Sequence, residues 1–221
     1  MKIYQPHTWP RTVEEAIVIQ EKLRSQVITE DQLEEPVQYV AGVDMGFEAD
    51  GTISRAAVAV LSFPDLQVIE TNLAYRPTSF PYIPGFLSFR EIPAVIDALE
   101  KIKTTPNIIL CDGQGIAHPR RLGIASHLGI IVDIPTIGVA KSLLIGKHEE
   151  LPETKGSLQP LIHKGETIGA VLRTRTGVKP VYVSSGHRIS LNTAINYVLH
   201  CTPKYRLPET TRIADKLASA R

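Results

Sequence analysis

The sequence predicts an α/β fold in which a mixed central sheet is flanked by helices. Three strand-like segments, at about 38–46, 54–63 and 67–76, are separated by turn residues and therefore indicate an antiparallel meander. Further along, segments 107–112 and 134–139 enclose a helical pattern, which is the order of a βαβ unit with parallel strands. The 221 residues, 43% of them hydrophobic, suffice for a full core, so we expect one domain over the whole chain, residues 1–221.

The first elements follow from local patterns. Apolar residues recur at helical spacing over 13–33, and Thr12 with Glu15 forms a capping-box signature that predicts a helix start there. Residues 33–38 are then expected to form a linker into the first strand. The run 56–61 in the second strand is apolar throughout, which favours a central position in the sheet.

A proline-rich loop over 77–85 is expected to lead into a helix over about 92–103. The sequence leaves the start of this helix open. Ser88 and Glu91 form a capping-box pattern that favours an earlier start, whereas Pro93 is best accommodated in a first helical turn.

The later elements complete an order that is known from one fold. They are a helix over 119–130, a loop or insertion over 146–165, strands at 167–174 and 180–184 joined by a turn at 176–177, and helices over 190–201 and from about 208 to the end. Three meandering strands followed by helix, strand, helix and strand is the order of the ribonuclease H-like fold. The first and fourth strands are neighbours in that fold.

Composition narrows the class of protein. No apolar run approaches 18 residues and the first residues lack the apolar core of a signal peptide, so we expect neither a membrane span nor a secreted protein. Cys111 and Cys201 lie in apolar contexts without a nearby partner, which favours buried reduced thiols in a cytoplasmic protein.

Charge is distributed unevenly along the chain. The net charge is only +1, but residues 1–116 carry 9 basic and 16 acidic residues whereas residues 117–221 carry 15 and 7. An acidic part that binds metal beside a basic part that binds phosphate would explain this distribution. Chance asymmetry on solvated faces would explain it equally well.

Two carboxylates follow apolar strands and precede glycine-containing turns. Asp44 follows the stretch 39–43, and Asp112 follows 107–111. In open α/β sheets, ligands bind at the carboxyl ends of the strands, so both side chains are expected at one rim. Two carboxylates at one rim repel each other unless a cation lies between them, and Mg²⁺ prefers such oxygen ligands. The alternative is that each Asp caps a turn or a helix.

Three other residues are candidates for the same site, each with a simpler explanation. Glu91 would be a third acid, unless it serves the capping box with Ser88. Asp215 would be a fourth, unless it faces solvent from a helix. Lys141 follows the strand at 134–139 and would stabilise charge on a phosphate, unless it is an ordinary surface lysine.

Two loops are candidates for binding nucleic acid. The segment 81–87 places Tyr82 between stiff prolines, as in wedges that enter stacked bases, although a loop tucked over the core is the simpler alternative. The segment 112–121 has two glycines that permit close approach of a ligand, and Arg120 is expected at the following helix N-terminus, where anions bind. No zinc motif, P-loop or G-x-S-x-G motif is present in the sequence.

Taken together, these segments resemble endonuclease V, a family of deoxyinosine-specific DNA repair nucleases. The resemblance covers about 40–216 in the order of the family, and its carriers are residues 42–47, 81–91, 112–115, 118–123, 137–141, 205–209 and 211–215.

The resemblance implies a ribonuclease H-like fold and a Mg²⁺-dependent hydrolase, with Mn²⁺ as a substitute, that cleaves the second phosphodiester 3′ to a deaminated adenine and leaves a 3′-hydroxyl and a 5′-phosphate. By position, Asp44, Glu91 and Asp112 match metal-binding acids, Lys141 matches a lysine near the scissile phosphate, and Asp215 matches a further catalytic position. The positions expected to contact DNA or the lesion are Pro81, Tyr82, Ile83, Pro84, Gly85, Leu87, Gly113, Gly115, His118, Arg120, Gly123 and Ile124.

The expected partner is inosine-containing DNA, with inosine in RNA as an alternative substrate. The expected state is a monomer without an obligate protein partner and without a membrane.

The sequence leaves two alternative functions open. Asp44-Met45-Gly46 also resembles the phosphate loop of actin-like and sugar-kinase ATPases, although 221 residues leave no room for their second domain. The other rival is a nucleic-acid-binding module without catalytic activity.

Overall fold

The computed structural model describes residues 1–219 and has one mixed sheet with helices on both faces. Two short 3₁₀ turns lie at Arg24–Gln26 and Ala49–Gly51. The helices are α1 Val13–Leu23, α2 Leu87–Leu99, α3 Ile124–Val132, α4 Leu191–His200 and α5 Glu209–Ala218. The strands are β1 Tyr39–Glu48, β2 Ile53–Ser62, β3 Val68–Pro77, β4 Ile108–Cys111, β5 Thr136–Ala140, β6 Leu158–His163, β7 Glu166–Leu172 and β8 Val181–His187.

The eight strands lie in the order β3-β2-β1-β4-β5-β8-β7-β6. The predicted antiparallel meander of β1, β2 and β3 is confirmed, as is the parallel pair formed by β4 and β5. β1 pairs with β4 in parallel, so the first and fourth strands are neighbours as expected. The predicted ribonuclease H-like α/β fold is therefore correct.

Two apolar layers hold the helices against this sheet. On one face, α2 and α3 pack over inward-facing residues of β1, β2 and β4, including Val43, Val58 and Ile109. On the other face, α4 packs over residues such as Leu110, Val139 and Val183. The central strands are buried on both sides, which explains why their sequences are apolar throughout rather than alternating.

The C-terminal helix α5 lies unusually close to β1. A Cβ atom on Gly42 would lie 2.1 Å from the backbone carbonyl carbon of Thr210, and a Cβ on Gly46 would lie 2.2 Å from the Ala218 carbonyl oxygen. Any side chain at these two positions would push the helix away from the sheet. The glycines on either side of Asp44 therefore allow α5 to cross directly over the strand that carries it.

Several predicted boundaries were wrong because contacts distant in sequence decide them. The first helix ends at Leu23 with a 3₁₀ turn to Gln26 rather than at 33. Beyond that point the chain is extended and hydrogen-bonds to the segment after β8, where the Arg188 N–H donates to Ile28 and the Gln32 N–H donates to Arg188.

Three other elements differ from expectation. α2 begins at Leu87 rather than 92, and α3 begins at Ile124 rather than 119 because residues 118–123 form turns whose N–H groups bond to Ile116, His118 and Gly115. The segment 146–165, expected to be a loop or insertion, contains edge strand β6, which pairs with β7. The predicted last helix is α5, and its expected continuation to residues 220 and 221 lies outside the described residues.

Both cysteines are buried and unpaired, as predicted. None of the helices in the described part of the chain is long and apolar enough to cross a membrane.

Candidate active site

Asp44 and Asp112 lie side by side where the parallel pairing of β1 with β4 ends. Val43 is level with Cys111 in the register, so each acid is the next residue along its own strand. Asp44 lies within β1 rather than at its end, because the strand continues to Glu48, two residues beyond the predicted bound, as a partner of β2. One carboxylate oxygen of Asp44 accepts the Met45 N–H at 2.8 Å.

Lys141 follows β5 and brings a positive charge to the same rim. Its ammonium contacts the carboxylate of Asp112 and lies 3.8 Å from Oδ1 of Asp215 on α5. Lys141 is thus held by acids rather than free in solvent. Asp215 is half exposed, so its side chain reaches the rim from the solvent side of α5.

Glu91 lies on α2 and is almost fully buried, with 9% of its surface exposed. The capping box with Ser88 is not formed, because the N-cap residue of α2 is Phe86 and the Ser88 hydroxyl bonds to the His127 ring instead. The question left open by the sequence is therefore answered against a capping role for Glu91. Pro93 lies inside α2 rather than in its first turn.

Burial and neighbouring carboxylates raise the pKa values of the acids at this rim. Burial and the neighbouring Asp112 raise the pKa of Asp44 to about 7. Burial, Asp44 and Asp112 raise the pKa of Glu91 to about 8. Burial also raises the pKa of Asp112, against the opposing effect of Lys141. The rim therefore gathers more carboxyl groups than the single lysine could balance if all of them were ionised, and burial favours their protonated forms.

This donor set suits a divalent metal ion by its chemistry, since hard cations bind carboxylate oxygens and relieve repulsion between them. The arrangement is not a preformed metal site, however. Within residues 1–219, no three His, Cys, Asp or Glu side chains come together closely enough to hold an ion. In this structure the Lys141 ammonium is the positive charge in contact with Asp112.

A cavity of about 320 Å³ opens beside the acids. Both Asp112 and Lys141 line it, so the charged rim and the cavity are continuous. Nine of the residues expected to contact the lesion also line it: Tyr82, Ile83, Pro84, Gly85, Leu87, Gly113, His118, Gly123 and Ile124. This volume is at the lower end of the range for small-ligand pockets, about 300–1,000 Å³.

The segment 80–86, here called the wedge loop, projects at the mouth of this cavity. Its two ends are anchored by Phe80 and Phe86, which are 3% and 7% exposed and pack against α1 and α2. Tyr82 between them is 71% exposed. The loop is thus fixed at both ends while its tyrosine faces solvent, which differs from a loop tucked over the core.

The Gly85 carbonyl oxygen ties the wedge loop to the rest of the protein. It accepts hydrogen bonds from Nε2 of Gln20 at 2.9 Å, Nε2 of His118 at 2.9 Å and Nη2 of Arg120 at 3.1 Å. Nδ1 of His118 accepts the Arg120 N–H at 3.2 Å, so both ring nitrogens are engaged. His118 therefore lines the cavity as a neutral ring that positions the loop, and burial lowers its pKa to about 4.

Three residues expected to contact the lesion do not line the cavity. Arg120 does not extend from a helix N-terminus, since it binds Gln20 and Gly85 and stacks on Phe86. Gly115 packs against β8, where a Cβ would lie 2.0 Å from the Ser185 carbonyl oxygen. Pro81 is exposed beside Tyr82. A contact with DNA remains a prediction for all three.

Sequence reasoning did not assign several residues that surround the cavity. They are Ser88, Gln114, Leu122, Ala140, Ser142, Leu143 and Leu144. Leu143 and Leu144 are 43% and 40% exposed, which only the structure shows; in the sequence, the one signal for them is that they lie two and three residues after the candidate Lys141. Gln20 gave no local signal, because it lies 65 residues from the carbonyl it binds.

Comparison with known proteins gives a consistent family. The family model for endonuclease V matches residues 21–216. An endonuclease V of Nostoc sp. is 86% identical over 221 residues, covering 100% of both chains. The crystal structure of endonuclease V from Streptomyces avermitilis is 45% identical, covers 99% of this chain and 96% of its own, and superposes with a TM-score of 0.90.

A third relative was solved with nucleic acid. Endonuclease V of Ciona intestinalis is 33% identical, covers 93% of this chain and 95% of its own, and has a TM-score of 0.83. That structure is a complex with a 24mer DNA containing an inosine followed by a ribo-adenosine.

Proposed function

Because the chain belongs to the endonuclease V family, we propose that it is a metal-dependent endonuclease of DNA repair that recognises deoxyinosine and cuts the strand on the 3′ side. We place the cut at the second phosphodiester 3′ to the lesion. The observation that carries the proposal is the continuity of the cavity with the charged rim, since Asp112 and Lys141 line the same space as the wedge loop.

The cavity suits a base that has left the stack. Enzymes that recognise a damaged base commonly rotate it out of the duplex into a pocket, and a mispaired inosine costs less to extrude than a normal base. Tyr82 is the exposed side chain at the cavity mouth and would fill the space that the base leaves. The flipped base and the backbone 3′ to it would then lie between the wedge loop and the acidic rim.

Asp44, Asp112 and Glu91 are the residues that would hold Mg²⁺, or Mn²⁺ in its place. A bound ion would supply charge neutralisation and an activated water. In hydrolysis, water attacks phosphorus while the P–O3′ bond breaks and the O3′ atom takes up a proton, leaving a 3′-hydroxyl and a 5′-phosphate. Lys141, beside Asp112, is positioned to offer positive charge to a phosphate oxygen once the acids bind the ion.

Asp215 is proposed to act through Lys141, whose ammonium lies 3.8 Å from its carboxylate. We also propose that the chain acts as one domain and needs no partner protein for cutting. The single sheet that passes through the whole fold supports this proposal.

The test is cleavage of end-labelled strands that carry inosine, against matched strands that carry adenosine, with Mg²⁺ or with EDTA. A metal-dependent nick confined to the inosine strand, mapped to the second phosphodiester, is the expected result. Asp44→Asn should reduce the rate by at least about 100-fold, since it removes a proposed metal ligand. Tyr75→Ala, on the edge strand, is the matched control and should cut normally.

An RNA strand that carries inosine belongs in the same experiment. The Ciona complex contains a ribonucleotide directly after the inosine, which favours some tolerance of ribose near the cut in the family. Faster cutting of RNA than of DNA would reassign the substrate. Equal cutting of inosine and adenosine strands, or ATP turnover without nucleic acid, would overturn the proposal.

A further inference from the structure

A chain of hydrogen bonds runs from the N-terminal segment through the core to the cavity. Nδ1 of His7 bonds to the Thr8 carbonyl oxygen at 2.8 Å, and Nε2 of His7 lies 2.7 Å from Nε2 of His127. Nδ1 of His127 lies 3.0 Å from the hydroxyl of Ser88, and Ser88 is one of the residues that line the cavity. His127 is fully buried and Ser88 is 3% exposed, so water does not compete for the bond between them, whereas the bond between His7 and Thr8 at the outer end is exposed.

The direction of each hydrogen bond follows from the first one. A carbonyl oxygen only accepts, so Nδ1 of His7 must carry its proton and Nε2 of the neutral ring is left with a lone pair. Nε2 of His127 therefore donates to His7, which leaves Nδ1 of His127 as an acceptor. The proton of the Ser88 hydroxyl must then point to His127.

Both rings are kept neutral by their surroundings. Burial lowers the pKa of His7, and burial with the adjacent His7 lowers the pKa of His127 well below its ordinary value. Trp9 and Phe89 pack against the two rings and hold their planes in place. The tautomers are thus fixed by a carbonyl at one end and by apolar packing around the chain.

We propose that this chain holds the Ser88 hydroxyl as a hydrogen-bond acceptor towards the cavity and so makes Ser88 a specificity-determining residue, which accepts the N1–H of hypoxanthine. The inference rests on the proposed function. At the same position adenine carries a lone pair instead of a proton, so two acceptors would face each other. A buried acceptor left without its donor discriminates strongly against the analogue.

Gln114 is a second candidate acceptor for the N1–H group of hypoxanthine. Its Nε2 donates to the Ser142 carbonyl oxygen at 3.1 Å, which fixes the amide orientation. Its Oε1 is buried and has no hydrogen-bond partner within residues 1–219. Ser88 is preferred because its acceptor state is enforced by three successive hydrogen bonds, whereas the Gln114 amide is held by one.

The test uses strands that carry inosine, 1-deazainosine or adenosine under single-turnover conditions. In 1-deazainosine a C–H group replaces N1–H, and the exocyclic oxygen is retained. The wild-type protein should cut inosine about tenfold faster than 1-deazainosine, as expected for one buried hydrogen bond. In Ser88→Ala this ratio should fall close to one. Ser126→Ala, which removes another buried hydroxyl on α3, should leave the ratio unchanged.

His7 and His127 are positioning residues. Their test therefore needs a measurement that general damage to the fold would not change in the same way. Nitrogen NMR of the wild-type protein should find the His127 proton on Nε2. His127→Phe retains a ring among Trp9 and Phe89 but loses the acceptor, so the ratio of inosine to 1-deazainosine cutting should fall severalfold. Inosine cutting should fall by a similar factor, while 1-deazainosine cutting should change little.

Several outcomes would overturn the inference. They are an unchanged ratio in Ser88→Ala, a ratio that falls only in Gln114→Leu, or a proton on Nδ1 of His127. These results are distinguishable from failure of the proposed function. If the wild-type protein cuts none of the strands, the proposed function is wrong and the inference falls with it.

Discussion

At the scale of single residues, the candidate site concentrates groups that are costly to bury. Asp44 and Glu91 have pKa values raised to about 7 and about 8 by burial and by the acids beside them. Such groups are better explained by binding than by stability, because uncompensated buried charge opposes folding. His118 is a different case, since its buried ring is neutral and each nitrogen has a partner.

His118 gives a prediction about pH. Its folded-state pKa is lowered to about 4 from an ordinary value of 6.5, so the unfolded chain binds more protons as the pH falls below 6.5. The free energy of unfolding should therefore drop through this window. Between pH 7 and pH 5, wild type should lose about 2 kcal/mol more than His118→Gln.

Urea unfolding of both proteins at each pH measures this difference. The comparison with His118→Gln removes the effect of other titrating groups, because they are present in both proteins. An equal loss of stability in the two proteins would show that His118 is protonated normally in the folded state.

At the scale of elements, two features position the site, namely the wedge loop and helix α5. The wedge loop is anchored by the packing of Phe80 and Phe86 and by hydrogen bonds to the Gly85 carbonyl oxygen. These contacts restrict the loop and keep Tyr82 pointing into solvent. Helix α5 crosses β1 at glycine positions and brings Asp215 to the rim. Buried phenylalanines thus set the position of the exposed Tyr82, and glycines of β1 set the position of the half-exposed Asp215.

Tyr82→Ala tests the wedge loop. Because Tyr82 is 71% exposed, its removal should change the free energy of unfolding by less than about 0.5 kcal/mol. Affinity for inosine-containing duplex should fall about tenfold or more, since stacking of an aromatic ring on a base contributes about 1–3 kcal/mol. Fluorescence anisotropy measures the affinity, with Tyr75→Ala as the control for loss of another exposed tyrosine. Unchanged affinity in Tyr82→Ala would count against the wedge.

Gly42→Ala tests the close approach of α5. The added Cβ would meet the Thr210 backbone at 2.1 Å, so the helix must shift away from β1. We expect a loss of about 1–3 kcal/mol in thermal unfolding, which is typical of overpacking. Ala41→Gly, one residue earlier on the same strand, controls for a change in backbone flexibility. A stability equal to wild type in Gly42→Ala would mean that α5 is not seated on β1 in solution.

At the scale of the whole molecule, the sheet order brings together groups that are far apart in sequence. β1 and β4 are adjacent in the middle of the sheet, so Asp44 and Asp112 become neighbours although 67 residues separate them. The rim therefore exists only when the complete fold is formed. A ligand that binds the rim should stabilise the entire protein rather than one segment.

Metal removal tests this linkage. If Mg²⁺ binds the folded rim and not the unfolded chain, Mg²⁺ at 100 times its dissociation constant should stabilise the protein by about 2.7 kcal/mol. The melting temperature should rise with Mg²⁺ and return to its starting value with EDTA. In Asp112→Asn the increase should be lost, whereas Glu166→Gln, an exposed acid remote from the rim, should retain it. The same increase in both variants would place the metal elsewhere.

Much of the fold could be predicted because its signals are local. The apolar runs of β1, β2 and β4, the turns between them and the βαβ order are properties of neighbouring residues, and they led to the correct sheet. The positions of Asp44 and Asp112 after such runs follow from the same local pattern. β6 was missed because an edge strand with mixed exposure lacks a strong apolar pattern.

By itself, the sequence determined the fold class, the family and which acids follow the central strands, because strand pattern and motif order are written along the chain. Only the tertiary structure decided that Ser88 bonds to His127 rather than capping α2, that Arg120 holds the Gly85 carbonyl, and that α1 stops at Leu23. The first two depend on partners 39 and 35 residues away in the sequence. The end of α1 depends on the residues that follow it, which hydrogen-bond to the segment after β8. No local pattern records such partners, since they become neighbours only when the sheet and its helices pack.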